Sequence, residues 1–234
     1  AVTMTNYERK FKVPVAFPPD SIENPLGKII SEAGMTQLRL AETYKYAHVT
    51  YFFNGYRESA FKNEYRVLIP SLSTPHIDEH PEMMASSLTD RVIEAAANRS
   101  FDFILVNYAN ADTIGHTGNF EAGLKAAQAI DNEIGKILKT CINDDIAIIV
   151  TSDHGNLEEM IDPKTGEFET QHDPNPVPFY LVAPEFKNRK FMNWGSLSSQ
   201  VTGVLSDVAP TILEIMNIPK PPEMNGDSLI SSII

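Results

Sequence analysis

Cys141 is the only cysteine, which excludes a disulfide within the chain. It lies in the apolar stretch Ile137-Leu-Lys-Thr-Cys-Ile142, where a small buried side chain fits, so packing rather than thiol chemistry is expected of it. No segment approaches the roughly 18 consecutive apolar residues of a membrane-spanning helix. Basic residues are also scarce: 19 Lys and Arg stand against 31 Asp and Glu, a formal charge of −12. Nucleic acid or an anionic membrane would require basic patches, so neither is an expected partner. No basic-plus-apolar secretory signal opens the sequence, and a cytoplasmic location is the expectation. Repeats, low-complexity tracts and clear domain linkers are missing as well.

What remains is an ordinary globular composition. The 234 residues are 42% hydrophobic and 21% charged, enough for one large domain with its own core. Strand-like runs at 37–40, 66–69, 101–106, 146–150 and 177–182 alternate with helical patterns at 24–33, 42–53, 82–97, 120–138 and 207–216. That alternation implies an α/β fold. The uninterrupted apolar runs at 101–106 and 146–150 are those of central parallel strands covered on both faces. Gly34 is placed as a helix C-cap and Asp207 as an N-cap. Residues 162–170 read as an exposed hairpin or loop, and only the first 18 or so residues look loosely attached.

Three polar stretches stand out against this background. They are Asn107-Tyr-Ala-Asn-Ala-Asp112-Thr-Ile-Gly-His116, Thr151-Ser-Asp153-His154-Gly155-Asn156, and Gln171-His172-Asp-Pro-Asn175-Pro176-Val-Pro178. Each adjoins an apolar run. Together they offer three imidazoles and two carboxylates, donors suited to manganese, zinc or iron, whereas calcium would want more oxygen. Sites in open parallel sheets gather beyond the carboxyl ends of strands, which puts Asp112, His116, Asp153 and His154 on one rim. His172 precedes a strand and must reach that rim from a loop. Paired cations suit phosphoryl transfer, because they clamp the attacking and leaving oxygens. An anionic substrate would need this local positive charge, since the overall field repels it. Taken singly, an Asp-x-x-x-His is as well explained by a helix N-cap with a surface histidine, and Asp153-His154-Gly155-Asn156 by turn chemistry. His76 and His80, in a polar loop, read as merely exposed.

Taken together, the stretches resemble the cofactor-independent phosphoglycerate mutases of the alkaline phosphatase superfamily. Ala41-Glu-Thr-Tyr-Lys45-Tyr-Ala-His48-Val-Thr50 is similar to that family's AETEKYAHVT segment, and Phe52-Phe-Asn-Gly55 continues it. Asn107 through Gly118 is similar to its NYANPDMVGHTG signature, Ser152 through Asn156 to its ADHGN, and His172 through Pro178 to its HTTNPVP. The likeness runs from about Val2 to the C-terminus. Tyr44 departs from the family's glutamate, Ala111 from its proline, and Asp173-Pro174 from its two threonines.

The resemblance implies an alkaline-phosphatase-like three-layer α/β/α fold with a mostly parallel central sheet. It also implies interconversion of 3-phosphoglycerate and 2-phosphoglycerate through a phosphoserine, with two divalent ions, manganese before zinc, iron or cobalt. Asp112, His116 and His172 would hold one ion, Asp153 and His154 would contribute to the other, and Lys45 would sit beside the transferred phosphoryl group. Asn107 and Asn110 would orient ligands, His48 would pack, and Ser152 would not be the nucleophile. The family's early aspartate, its nucleophilic serine and its inserted arginine-bearing transferase domain have no counterpart here. The sequence therefore reads as residues 1–19 returning from that insert and residues 20–234 forming a metalloenzyme domain incomplete at its N-terminus. Such a chain would have a crippled second metal site, no turnover alone, and a bare sheet edge through which it could dimerise. Other readings are a different phosphomutase, phosphatase or sulfatase of the superfamily, or a metal-binding module without chemistry.

Overall fold

β1, Gln37–Glu42, is buried along its whole length, and the rest of the fold is arranged about it. Its side chains alternate across the sheet. Leu38 and Leu40 face one way, onto Leu88, Val92, Ala95 and Ala96 of α2 (Ala85–Ala97) and Ile137 and Cys141 of α4 (Phe120–Cys141). Gln37 and Arg39 face the other way, toward α1 (Leu26–Glu32). On that side Leu26 and Ile30 of α1 pack with Leu213 of α5 (Val208–Ile215). β3, Phe103–Asn107, follows the same alternation, with Ile104 and Val106 on the first face and Phe103 on the second. Helices thus cover both faces, giving the α/β/α layering expected. The structure, a computed structural model, describes residues 1–5, 11–18, 22–142, 144–162, 164–186 and 201–233.

β1 pairs in parallel with both β2 (Glu64–Ile69) and β3, in the order β2-β1-β3. The registers Glu42 with Ile69 and Ala41 with Asn107 bring the carboxyl ends of all three strands to one rim. Beyond β3 lie the short helix α3 (Asn110–Gly115) and then α4, whose Asn119 accepts from the Ala122 amide at 3.2 Å as an N-cap. A short α6, Ile230–Ile233, ends the described chain.

Several expectations are corrected. The run at 146–150 overlaps β4, Ile148–Thr151, which pairs antiparallel with β5, Phe179–Val182, rather than joining the parallel sheet. Its apolarity has another cause: Ile146 and Ile148 pack against the cluster under α2 and α4. Residues 42–53 form a 3-10 turn, Thr43–Lys45, and a π-helical turn, His48–Phe52, instead of one regular helix. Asp207 does not cap α5 through its side chain. Its carboxylate accepts from the Val204 and Asp227 amides at 2.8 and 2.9 Å, bracing the preceding turn and the chain beyond α5. Gly34, at φ +79°, does terminate α1 in the left-handed conformation expected. The boundary set at 19 falls on residues 19–21, outside those described. Among the described residues, no helix is long and apolar enough to cross a membrane.

Candidate metal centre

Four chain segments meet at the sheet rim. The turn closing β1 carries Lys45. α3, opening just beyond β3, carries Asp112 and leads straight into His116. The turn after β4 carries Asp153 and His154. The loop before β5 carries His172, and it is tied in by an antiparallel bridge in which the Asp173 amide donates to the Gly155 carbonyl at 3.2 Å. That bridge brings a loop histidine to the rim, a position the strand pattern alone left open.

Asp112 is the hub. Its Oδ1 lies 2.9 Å from His172 Nε2, 3.1 Å from His116 Nε2 and 3.7 Å from His154 Nε2. Its Oδ2 takes an ion pair from Lys45 Nζ at 2.6 Å. His116 and His172 bring their Nε2 atoms within 3.1 Å of each other, and His154 stacks on His172 with centroids 3.6 Å apart. Asp153 stands at the mouth, its side chain 59% exposed and its Oδ1 3.6 Å from His154 Nε2. Asp112, His116, His154 and His172, four of the five residues expected as ligands, therefore converge, with Lys45 beside them, whereas Asp153 meets only its neighbour His154.

The electrostatics follow from this crowding. Burial pushes the Asp112 carboxyl up, but the Lys45 hydrogen bond and charge, with His116 and His172, more than offset it and hold its pKa below the ordinary value. His48 titrates lower than usual, mainly through burial and then the Lys45 charge, against the pull of Asp153 and Asp112. Glu42 is buried at the end of β1, and its pKa is raised by that burial despite hydrogen bonds from Ser71 and the Met84 amide.

The donors fit a divalent cation. His116 Nδ1 sits 2.6 Å from the Thr170 carbonyl, and His154 Nδ1 3.2 Å from the Gly155 carbonyl. A protonated Nδ1 donating to a carbonyl leaves Nε2 with its lone pair. Both Nε2 atoms face Asp112 Oδ1, at 3.1 and 3.7 Å, and that of His116 also meets His172 Nε2 at 3.1 Å, an arrangement that is repulsive until a proton or a metal ion stands among them. One ligand atom each from Asp112, His154 and His172 lies within 4.8 Å of the others. His116 adjoins that group through Asp112 and His172, its Nε2 lying 3.1 Å from each. A cleft of about 300 Å³ opens on the Lys45, Asn107, Asp153 and His154 side of Asp112.

The remaining expectations divide. Asn107 lines the cleft with a buried, unpartnered Oδ1. Asn110 instead turns its amide to the Pro81 carbonyl at 2.8 Å, so it orients no ligand. The Ser152 hydroxyl donates to the His154 carbonyl at 2.7 Å, a turn-closing role. His76 and His80 are exposed, as expected. Sequence reasoning passed over Asn156, whose side chain reaches Asp112, because only its contact with Gly115 across the fold gives it meaning.

Comparison with known proteins agrees with this geometry. Residues 12–220 match the metalloenzyme superfamily. A 2,3-bisphosphoglycerate-independent phosphoglycerate mutase of Thermomicrobium roseum is 48% identical over 98% of this chain and 43% of its own. That of Methanosarcina barkeri is 48% identical over 98% of this chain and 42% of its own. Among solved structures, the Leishmania mexicana phosphoglycerate mutase at low cobalt concentration superposes with a TM-score of 0.81 at 25% identity, covering 97% of this chain and 43% of that one. The chain thus spans under half the length of these relatives. With residues 12–220 matched and the ligand set gathered at the sheet rim, the chain belongs to the metalloenzyme superfamily.

Proposed function

We propose that this chain is the metal-bearing part of a 2,3-bisphosphoglycerate-independent phosphoglycerate mutase, interconverting 3-phosphoglycerate and 2-phosphoglycerate through a phosphoserine. The observation that carries the reading is the convergence of three Nε2 atoms and Lys45 on the single carboxylate of Asp112. Relatives bearing that name share 48% identity over nearly the whole chain.

In this reading Asp112, His116 and His172 hold one divalent ion and Asp153 with His154 part of a second, manganese being the ion expected. Asp112 is common to both groups, its Oδ1 facing His116, His172 and His154. Bound ions would supply Lewis acidity, lowering the serine pKa and neutralising charge on the transferring phosphoryl group. The chain's own residues do the rest of the local work. Lys45 holds Oδ2 of Asp112 and offers its remaining N–H protons to a phosphoryl oxygen in the cleft. Asn107 lines that cleft, its amide oxygen buried and without a partner. The nucleophilic serine, the second ion's further ligands and the arginines for the substrate belong to the length of the relatives that this chain does not span. Alone it would not turn over substrate. A cytoplasmic location fits this glycolytic reading.

A chimera of the Thermomicrobium roseum enzyme, carrying this chain in place of the matching 43%, tests the proposal in an enolase-coupled assay. Manganese-dependent conversion, lost in Asp153→Ala and His154→Ala, is the expected result. Full activity in both variants would remove the site assignment, and turnover by the isolated chain would overturn the incompleteness.

A further inference from the structure

Asn156 presses against a helix that has no side chain at the point of contact. A Cβ on Gly115 would fall 1.9 Å from Asn156 Oδ1, so the glycine lets the asparagine lie flush on the α3 backbone. There the Asn156 Nδ2 donates to Asp112 Oδ1 at 3.4 Å, the same oxygen that faces the three imidazoles. The asparagine is 6% exposed, and its Oδ1 is buried without a partner. Its own amide is anchored by a 3.0 Å bond to Glu158 Oε2. A group kept only for packing would be apolar, because a buried carbonyl left unsatisfied is costly. What the side chain gains is the placement of its NH₂.

From this geometry we infer that Asn156 is a positioning residue for the metal centre, setting the torsion of the Asp112 carboxylate and locking the Asp153–His154 turn to the helix of Asp112 and His116. The inference rests on the metal-site reading above. Lys45 holds Oδ2 at 2.6 Å and Asn156 reaches Oδ1 at 3.4 Å, so rotation of the carboxylate plane is opposed at both oxygens. The remaining lone pair of Oδ1 is left aimed at the histidines. A neutral amide does this without placing positive charge where a cation must stand, which an arginine or lysine at 156 would do. Outer hydrogen bonds of this kind commonly contribute about 10–100-fold to metal affinity. Gly115 is the other half of the device. A methyl group there would push Asn156 off the carboxylate.

The test is calorimetric titration of the metal-free chain with manganese, paired with the visible spectrum of the cobalt-loaded protein. Asn156→Leu keeps nearly the same shape without the donor, Asn156→Ala removes the shape too, and Gly115→Ala displaces the asparagine. Asn156→Leu and Gly115→Ala should bind manganese about 10–100-fold more weakly, with altered cobalt bands. The metal-free thermal midpoint of Asn156→Leu should stay close to that of the unsubstituted chain. A merely structural role would lower that midpoint and leave the cobalt bands alone. Unchanged affinity and unchanged bands in Asn156→Leu would overturn the inference while leaving the metal site standing. Absence of manganese binding by the unsubstituted chain would overturn the metal site and this inference with it. If Asn156→Ala fails to fold, the other two variants still decide.

Discussion

Lys45 Nζ lies 2.6 Å from Asp112 Oδ2, with the two side chains only 10% and 17% exposed. The same carboxylate is thus neutralised on one oxygen and offered to imidazoles on the other. Removing one partner of a nearly buried pair strands the other's charge. Lys45→Met should lower metal-free stability by about 3 kcal/mol, the low end of the usual range because His116 and His172 still face Asp112. Manganese should restore more stability to this variant than to the parent, since lysine and cation compete for the aspartate. Urea unfolding with and without manganese measures both, and equal restoration would argue against that competition.

Arg39 is fully buried, and burial lowers its pKa to about 10. Its guanidinium sits 4.1 Å over the Phe53 ring and bonds Gln37, but Nε and Nη1 have no partner. A buried cation so poorly satisfied contributes little net stability. Arg39→Met, which keeps the volume, should be neutral or more stable, whereas Arg39→Ala should be destabilised by roughly 3 kcal/mol through the cavity it leaves. A large loss in the methionine variant would show the charge itself to be needed.

The buried Glu42 gives a pH signature. Its folded pKa is raised by burial, so the folded chain keeps the proton longer than the unfolded chain. Its contribution is therefore greatest below the ordinary carboxylate range and is lost as pH rises through the folded pKa. Glu42→Gln should remove that downward slope. The difference in urea midpoint between the variant and the parent should grow in the variant's favour from about pH 4 toward neutrality. A flat difference would show that Glu42 is not held protonated.

How much of this could be read without coordinates depended on range. Asp112 and His116 are neighbours on a helical turn beyond β3, so local pattern placed them at the rim, whereas Asp153 and His154 follow an apolar strand that lies outside the parallel sheet. His172 was legible only through its family motif, because the bridge from Asp173 to Gly155 that carries it there is a contact between distant loops. The pairing of β4 was not legible, since an apolar run looks the same beside a parallel or an antiparallel neighbour. The helical-looking residues 42–53 form 3-10 and π turns, although the buried Lys45 and Val49 and the exposed Tyr44 and His48 stand at the i, i+4 spacing that a regular helix would also satisfy. Asn156 was invisible because its role depends on the bare backbone of Gly115.

Among the described residues, β3 pairs only with β1, and β4 only with β5. Free sheet edges recruit further strands. The isolated chain should therefore associate as its concentration rises, and light scattering should show a dimer. A monomer at high concentration would mean that these edges are blocked.

The account depends most on a cation at Asp112. A crystal of this chain grown with manganese, with diffraction recorded at the manganese absorption edge, tests it most directly. An anomalous peak within bonding distance of Asp112 Oδ1 and His172 Nε2 is predicted. A map without a peak among Asp112, His116, His154 and His172, despite bound manganese elsewhere, would contradict it.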